Sequence, residues 1–243
     1  MEGPFAHVVY VDKTASTNED AAALLGDDAA LGMTIVAEEQ TGGLGRKGRR
    51  WVAQRGRALL FTTILPRELA AGALWAVPFW TALCVAEALE RSGVATTLVW
   101  PNDLLIGERK VAGILCVSRV FGDRARAGCG VGINVYGTPQ ARNEIVPPPA
   151  FCDDVARVDR NALLARILDR FNESLTMLSD PHQVAHQWER RAGLPGRRYR
   201  LLVDGEADAF DVTALRLSSD GGLVVERGGA ERTIALADAR VLR

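Results

Sequence analysis

The sequence predicts an α+β protein, in which a mixed but largely antiparallel sheet packs against helices and a small β domain follows. Two observations predict the larger part. Short β-rich runs between residues 96 and 135 are joined by short connections, as antiparallel strands are, and apolar residues recur at helical spacing in two longer segments. The third observation concerns residues 193–243, where short β runs alternate with glycine turns and suggest a small barrel.

The first elements of the chain are a strand, a helix and two further strands. Residues 7–11 are β-rich, and a helix is predicted over residues 17–25. Ser16 is a good N-cap for this helix, since Glu19 follows at the spacing of a capping box. Strands are then predicted at residues 34–37 and 58–65.

The central segment predicts a helix followed by three strands. Pro78 should lie in the first turn of the helix, where a missing N–H is tolerated, or bend it. The apolar residues that share one face of this helix are Trp75, Phe79, Ala82, Leu83, Ala86 and Leu89. The strands are predicted at residues 96–100, 109–117 and 127–135, with the P-N-D and I-G-E-R segments as turns between the first two.

A proline-containing loop at residues 139–149 separates these strands from two more helices. The first helix is strongly amphipathic, and the second is predicted over residues 183–191. Glycines and a proline at residues 193–196 mark the change to β structure, so the predicted domains are residues 1–192 and 193–243. The apolar face of the first helix consists of Leu163, Leu164, Ile167, Leu168, Phe171, Leu175 and Leu178.

The composition is that of an ordinary globular protein of 243 residues, with 48% hydrophobic and 24% charged residues. A formal net charge of −1 argues against a general nucleic-acid binder, since such proteins neutralise many phosphates. The four cysteines form no C-x-x-C pair and indicate buried thiols in a reducing compartment. We find neither a secretory signal nor an apolar stretch long enough to cross a bilayer, so we expect a cytoplasmic protein without membrane contacts.

Residues 40–51, with the sequence Q-T-G-G-L-G-R-K-G-R-R-W, form the most informative segment. Its glycines let backbone N–H groups approach a ligand, and its cations match the oxygens of a phosphate. Trp51 adds a flat face for a base or a ring. Alone, the segment is equally consistent with a solvated basic loop or a nonspecific nucleic-acid patch.

Three further segments decide between these alternatives. They are S-T-N at residues 16–18, W-P-N-D-L-L-I-G-E-R-K-V-A-G-I-L at residues 100–115 and G-C-G-V-G-I-N at residues 128–134. Together with the basic loop, their order and spacing resemble the biotin protein ligase family, and the resemblance covers essentially the whole chain. It implies the catalytic fold of biotin and lipoate ligases, which is similar to class II synthetases, with an SH3-like barrel at the C-terminus.

The resemblance implies an ATP-dependent ligase. Family members form biotinyl-5'-adenylate from biotin and ATP with Mg²⁺, and then transfer biotin to a lysine of the carrier domain of a biotin-dependent carboxylase. Adenylation brings two anions together and builds charge on phosphoryl oxygens, so the site requires cations. Arg46 and Lys110 are expected on the biotin carboxylate and the phosphate. Asp103, the third predicted catalytic residue, would hold the lysine amine or help to ligate Mg²⁺.

The residues expected at biotin combine polar side chains for the ureido ring with parts of the basic loop. Ser16, without the resemblance, would be only a helix cap. Lys110 has the alternative of a solvated hairpin cation, although its neighbours are small and apolar. Gly113 would allow the ligand close to the backbone. The full set is Ser16, Thr17, Asn18, Gln40, Gly43, Leu44, Gly45, Arg46, Lys110 and Gly113.

The residues expected at ATP or the adenylate come from the same motifs. Trp51 and Asn134 match family positions that stack on the adenine and hydrogen-bond to it. Without the resemblance, a buried tryptophan is more often a core residue. The full set is Arg46, Arg49, Trp51, Asn102, Lys110 and Asn134.

Two positions depart from the family pattern. Leu44 stands where the loop's first arginine is usual, and Val99 replaces the lysine that precedes W-P-N-D. Each change loses one cation, which predicts weaker retention of biotin or the adenylate. The S-T-N triplet begins at residue 16, so we expect no N-terminal helix-turn-helix, no DNA binding and no repressor activity.

Three other functions stay open at this point. Lipoate or octanoate protein ligases share the fold but lack the R-K-G-R-R-W pattern. An RNA-binding protein with a C-terminal interaction barrel would account for the loop but not for Lys110, Asp103 and Asn134. Loss of the two cations could also leave an inactive ligase-like protein. Family members often dimerise through the sheet, so an exposed edge strand could pair with a second subunit or with the carrier domain.

Overall fold

The computed structural model describes residues 3–242. The N-terminal part of the protein is built around one mixed sheet. Its path of strands is β1-β2-β3-β8-β7-β6-β5, with β4 added on β8, and only β1 and β2 run parallel. The predicted mixed, largely antiparallel sheet is therefore confirmed. The strands are β1 (Val8–Thr14), β2 (Thr34–Gln40), β3 (Ala58–Ile64), β4 (Leu69–Ala70), β5 (Thr97–Val99), β6 (Asp103–Ile106), β7 (Arg109–Phe121) and β8 (Arg124–Asn134).

Helices cover this sheet and form the core with it. Helix α2 packs against α4 and α5, where the ring of Trp80 stacks on Phe171 at 4.6 Å and that of Phe79 meets Trp188 edge-on at 5.1 Å. Within residues 3–242, every helix is too short or too polar to span a bilayer. The helices are α1 (Thr17–Leu24), α2 (Ala76–Glu90), α3 (Pro139–Glu144), α4 (Arg160–Ser174) and α5 (Pro181–Ala192).

Helix α2 is buried on more sides than its sequence pattern predicts. One apolar face was expected, yet twelve of its fifteen residues are buried. The helix lies between the sheet and the pair α4 and α5, so it has almost no face left for water. Pro78 occupies the first turn, as predicted.

The prediction missed several short elements, including a strand and a helix near the outer cavity. Asp103–Ile106, expected to lie between turns, forms β6 because Leu104 and Leu105 are buried and their backbone pairs with β7. The expected loop at 139–149 begins with α3, whose start is stabilised because Thr138 accepts a hydrogen bond from the Ala141 N–H. Pro139, at the first helical position, has no N–H to leave unsatisfied.

Helix α1 begins at the predicted residue but without the predicted cap. Ser16 has the extended backbone of an N-cap, yet within the described chain its side chain makes no capping hydrogen bond. The capping-box prediction is therefore wrong. Ser16 is buried instead, on the side of the sheet where the polar residues described below converge.

The C-terminal residues form a second, antiparallel sheet in the order β12-β11-β10-β9-β13. Gly193 ends α5 in the left-handed conformation, at the predicted boundary. The sheet packs on the W-P-N-D segment, where the Trp100 indole N–H donates to the Gly221 carbonyl at 3.2 Å. Its closure into an SH3-like barrel and the division into 1–192 and 193–243 stay predictions. The strands are β9 (Arg198–Val203), β10 (Phe210–Leu217), β11 (Leu223–Arg227), β12 (Ala230–Ile234) and β13 (Ala239–Leu242).

Candidate active site

Two adjoining cavities bring the predicted site residues together. The inner cavity measures about 430 Å³ and the outer cavity about 990 Å³, both including space open to solvent. Of the predicted site residues only Gly43 lines neither cavity; it accepts a hydrogen bond from the Trp51 N–H at 2.8 Å. The residues that line both cavities are Gly45, Trp51, Asn102 and Lys110.

A hydrogen-bonded network forms the polar end of the inner cavity. The backbone N–H and the hydroxyl of Thr17 donate to Gln40 Oε1 at 2.8 and 2.9 Å. Thr62 Oγ1 lies 2.9 Å from the Thr17 hydroxyl and 2.8 Å from Asn18 Oδ1. The Asn18 amide in turn donates to the Leu115 carbonyl at 2.9 Å. These side chains are therefore held in place before any ligand binds.

Thr62 is a site residue that the sequence prediction missed. It lies in A-L-L-F-T-T-I, which was interpreted only as a buried strand. The sequence feature that could have identified it is a threonine within a run predicted to be buried. A hydroxyl in such a strand needs a hydrogen-bond partner, and Thr62 is indeed fully buried.

The glycines of the G-C-G-V-G-I-N segment make room for the site side chains. A Cβ at Gly130 would lie 2.1 Å from Asn18 Oδ1 and 2.5 Å from the Leu115 carbonyl oxygen. Only glycine therefore allows Asn18 to reach β7 across this strand. The prediction took Asn134 from this segment and missed the glycine.

Trp51 lies against a pair of glycines. Gly113 and Gly132 are cross-strand partners in β7 and β8. A Cβ at Gly132 would lie 2.7 Å from the indole Cε2 atom, and one at Gly113 would lie 3.1 Å from Cζ3. The indole N–H of Trp51 is buried and has no acceptor in the described part of the chain. The ring thus rests on bare backbone between the two cavities.

Lys110 lies at the junction of the cavities and is paired. Its Nζ atom is 2.6 Å from Asp103 Oδ1, and the two side chains are 27% and 8% exposed. The same ammonium lies 5.4 Å from the Trp51 ring centroid. Lys110 is therefore not the solvated hairpin cation of the alternative interpretation.

Two buried asparagines fasten the strands around the outer cavity. Asn102 donates to the Ile114 carbonyl at 2.7 Å. Asn134 donates to the carbonyls of Lys110 and Ala150 at 3.3 and 3.2 Å. Each side-chain nitrogen thus serves the backbone, and the predicted contact of Asn134 with the adenine stays a prediction.

The cations of the basic loop do not all point at the inner cavity. The guanidinium of Arg46 donates to the Leu236 carbonyl and lines only the outer of the two. Burial lowers the pKa of Arg46, and the nearby Asp103 carboxylate opposes this shift. Lys47 pairs with Asp204. The predicted contact of Arg46 with the biotin carboxylate stays a prediction.

The rest of the loop is more exposed. Leu44 and Arg50 form an isolated antiparallel bridge, and Leu44 is 48% exposed although it lines the inner cavity. Arg49 is exposed at the outer cavity. No cation contributes to the inner cavity at position 44, where the family pattern has arginine.

Comparison with known proteins gives the same assignment as the motifs. The profile of the biotin/lipoate A/B protein ligase family matches residues 10–134, a range that contains the S-T-N triplet, the basic loop, Lys110 and Asn134. The chain belongs to this family. The family predicted from the four motifs is thereby confirmed.

Several relatives match this ligase over nearly its whole length. The bifunctional ligase/repressor BirA of Bacillus spizizenii is 34% identical over 96% of this chain and 73% of its own. The biotin--[acetyl-CoA-carboxylase] ligase of Mycobacterium tuberculosis is 30% identical over 96% and 88%. A solved biotin protein ligase from Aquifex aeolicus in complex with biotin and ATP is 26% identical, with a TM-score of 0.78, 98% of this chain covered and 100% of the other.

The described part of this ligase offers few carboxylates for a metal ion. Among the side chains that the structure describes, no three His, Cys, Asp or Glu residues cluster closely enough to hold a metal ion. Asp103 and Glu108 do line the outer cavity. Such a site suits Mg²⁺ that is carried by phosphates, because Mg²⁺ needs only one or two protein carboxylates there.

Proposed function

We propose that this ligase forms biotinyl-5'-adenylate from biotin and ATP and then transfers biotin to a lysine of a carrier domain in a biotin-dependent carboxylase. One observation carries the proposal: a small cavity with a polar end and a larger cavity lined by cations meet at Lys110. The names of the relatives support biotin as the substrate.

The inner cavity suits the biotin head group at one end and its chain at the other. Thr17, Asn18 and Gln40 offer donors and acceptors of the kind a ureido ring needs. The walls also include the apolar side chains of Leu60 and Ile114. Biotin bound in this direction would present its carboxylate to the ammonium of Lys110.

The outer cavity suits ATP, since its cations match the phosphates. Arg46, Arg49 and Lys110 line it. A carboxylate oxygen of biotin would attack the α-phosphorus, forming the acyl–phosphate bond as the bond to pyrophosphate breaks. The cations offset the charge that develops on the phosphoryl oxygens. Mg²⁺, when bound with ATP, would neutralise further phosphate charge, and Asp103 or Glu108 would hold it.

The transfer step uses the same junction. The amine of the carrier lysine attacks the acyl carbon, AMP leaves with the bonding electrons, and the nitrogen loses a proton. Asp103, which is buried beside Lys110, is the carboxylate that we assign to hold the incoming amine. Its negative charge favours an amine donor over another anion.

One assay tests the activity and separates it from the alternatives. The protein is incubated with ATP, Mg²⁺ and either biotin or lipoate, and pyrophosphate release and acyl-adenylate are measured. We expect adenylate from biotin, and biotinylation when a biotin carboxyl carrier domain is added. Adenylate from lipoate only would indicate a lipoate ligase, and none from either acid would indicate an inactive or binding protein.

Assembly, nucleic-acid binding and location complete the proposal. The outer edge of β1 exposes Val9 and Tyr10, so it could pair with a second subunit or with the carrier domain. Sedimentation with and without the carrier distinguishes these outcomes. We propose no operator binding, which the net charge of −1 supports and a gel-shift assay checks. Cytoplasmic localisation stays a prediction.

A further inference from the structure

Two contacts join the basic loop to the C-terminal sheet. Lys47 Nζ lies 2.7 Å from both carboxylate oxygens of Asp204, and the neighbouring Arg46 donates to the Leu236 carbonyl. Asp204 directly follows β9, and Leu236 lies between β12 and β13. The Asp204 N–H donates to the Asp238 carbonyl at 2.7 Å, so the two connections that hold the loop also hold each other.

The loop is a small hairpin whose tip makes these contacts. The Gly45 N–H donates to the Arg49 carbonyl at 2.6 Å, and Leu44 and Arg50 pair as a β-bridge. Arg46 and Lys47 therefore lie at the turn of the hairpin. A contact at the tip sets how the hairpin lies across the outer cavity.

Lys47 has an unfavourable backbone conformation. Among residues 3–242 it is the only non-glycine residue with a positive φ, at 56° with ψ 35°. Such a conformation persists when the surroundings hold it in place. The Lys47 side chain is only 16% exposed, whereas Asp204 is 63% exposed, so the lysine is the member of the pair that is enclosed.

We infer that Asp204 is a positioning residue for the active-site loop: by pairing with Lys47 it holds the turn in which Arg46 and Arg49 face the outer cavity. Asp204 lines neither cavity, so it acts without contacting the ligand. The C-terminal sheet thereby contributes to ATP binding. The inference rests on the proposed function only for its effect on ATP, since the effect on the loop can be measured without activity.

A double-mutant cycle tests this role. Lys47→Ala, Asp204→Ala and the double variant are compared with the wild type for KM of ATP and kcat of adenylate formation. We expect each single change to raise KM about threefold to fivefold with a smaller change in kcat, and the double variant to be no worse than either. Asp208→Ala is the matched control, because this exposed carboxylate forms no ion pair with a described residue.

Limited trypsin digestion provides a readout that is independent of catalysis. The loop offers cleavage sites at four cations, all intact in Asp204→Ala. Cleavage there should be faster in Asp204→Ala than in wild type or Asp208→Ala. The exchanged pair Lys47→Asp with Asp204→Lys should restore KM and the protection of the three sites it keeps, Arg46, Arg49 and Arg50, because aspartate tolerates a left-handed conformation.

The outcomes separate the inference from the proposed function. Additive effects in the cycle, or unchanged loop cleavage in Asp204→Ala, would overturn the positioning role even in an active enzyme. A wild type that forms no adenylate would overturn the proposed function, while faster loop cleavage in Asp204→Ala would still support the contact.

Discussion

The candidate active site has two halves that are built differently. The sheet half consists of Thr17, Asn18, Thr62, Asp103 and Lys110, which lie on or directly beside regular elements and bond to one another or to strand backbone. The loop half consists of residues 43–51. Its tip is held by Asp204 and Leu236, which lie 157 and 190 positions away from their partners in the sequence.

This difference indicates which steps each half controls. Buried and mutually bonded polar groups are rigid, so we expect the sheet half to have its arrangement for biotin before biotin binds. The loop half exposes Leu44, Arg49 and Arg50, and side-chain contacts hold its tip, so we expect it to open at a lower free-energy cost to admit ATP and to release product. We therefore expect changes in the sheet half to reduce the rate or the affinity most, and changes in the loop half to alter retention.

Lys110→Ala should have the largest effect. It removes the ammonium from the junction of the cavities, and loss of one preorganised charge of this kind costs about 10² to 10³ in rate. Pyrophosphate release measures the loss, and far-UV circular dichroism checks that the fold is retained. Lys13→Ala, which removes an exposed cation of β1 that pairs with Glu39 and lines neither cavity, is the control. Near-wild-type adenylation would mean that the sheet half is not the reacting centre.

Asn18→Ala should weaken biotin binding about tenfold. The change leaves Thr62 and the Leu115 carbonyl short of a partner, at a cost of about 1 to 3 kcal/mol, and removes an amide from the inner cavity. Calorimetric titration with biotin measures the affinity. Asn161→Ala, at an exposed position on α4, provides the comparison. Equal affinities in the two variants would contradict a preformed polar end.

Gly132→Ala tests the contact between the halves. The new Cβ would meet the Trp51 ring at 2.7 Å, so the indole must move and the loop with it. We expect KM for both biotin and ATP to rise about fivefold, as overpacking of about 1 kcal/mol implies. At Gly72 a Cβ meets no atom within 4 Å, so Gly72→Ala should behave as wild type. A change in only one KM would show that Trp51 serves one cavity.

Leu44→Arg should have the smallest effect, and it acts on the loop half alone. An arginine at this half-exposed position restores a cation beside the inner cavity. We expect adenylate release to slow about twofold to fivefold, the scale of one exposed charge pair. A chase experiment measures release, with Val155→Arg as an equally charged control away from both cavities. Release no slower than in wild type would count against the loop's role in retention.

Sequence motifs were sufficient to predict most residues of the sheet half. The S-T-N triplet, Lys110 and the W-P-N-D segment follow from residue types in a fixed order, and they do meet at one site. Elsewhere a local rule was misleading. Ser16 has the spacing of a capping box, yet it makes no capping hydrogen bond and is buried in the wall of the inner cavity, a position that depends on how α1 packs on the sheet.

The sequence by itself determined the α+β class, the family and most of the residues that line the two cavities, because motifs and periodicity are properties of neighbouring positions. Only the tertiary structure decided that Thr62 joins the polar network, that Trp51 rests on Gly113 and Gly132, and that Asp204 pairs with Lys47. Each of these contacts joins residues far apart in the chain. Their distances depend on how two sheets and a loop pack, which no local pattern encodes.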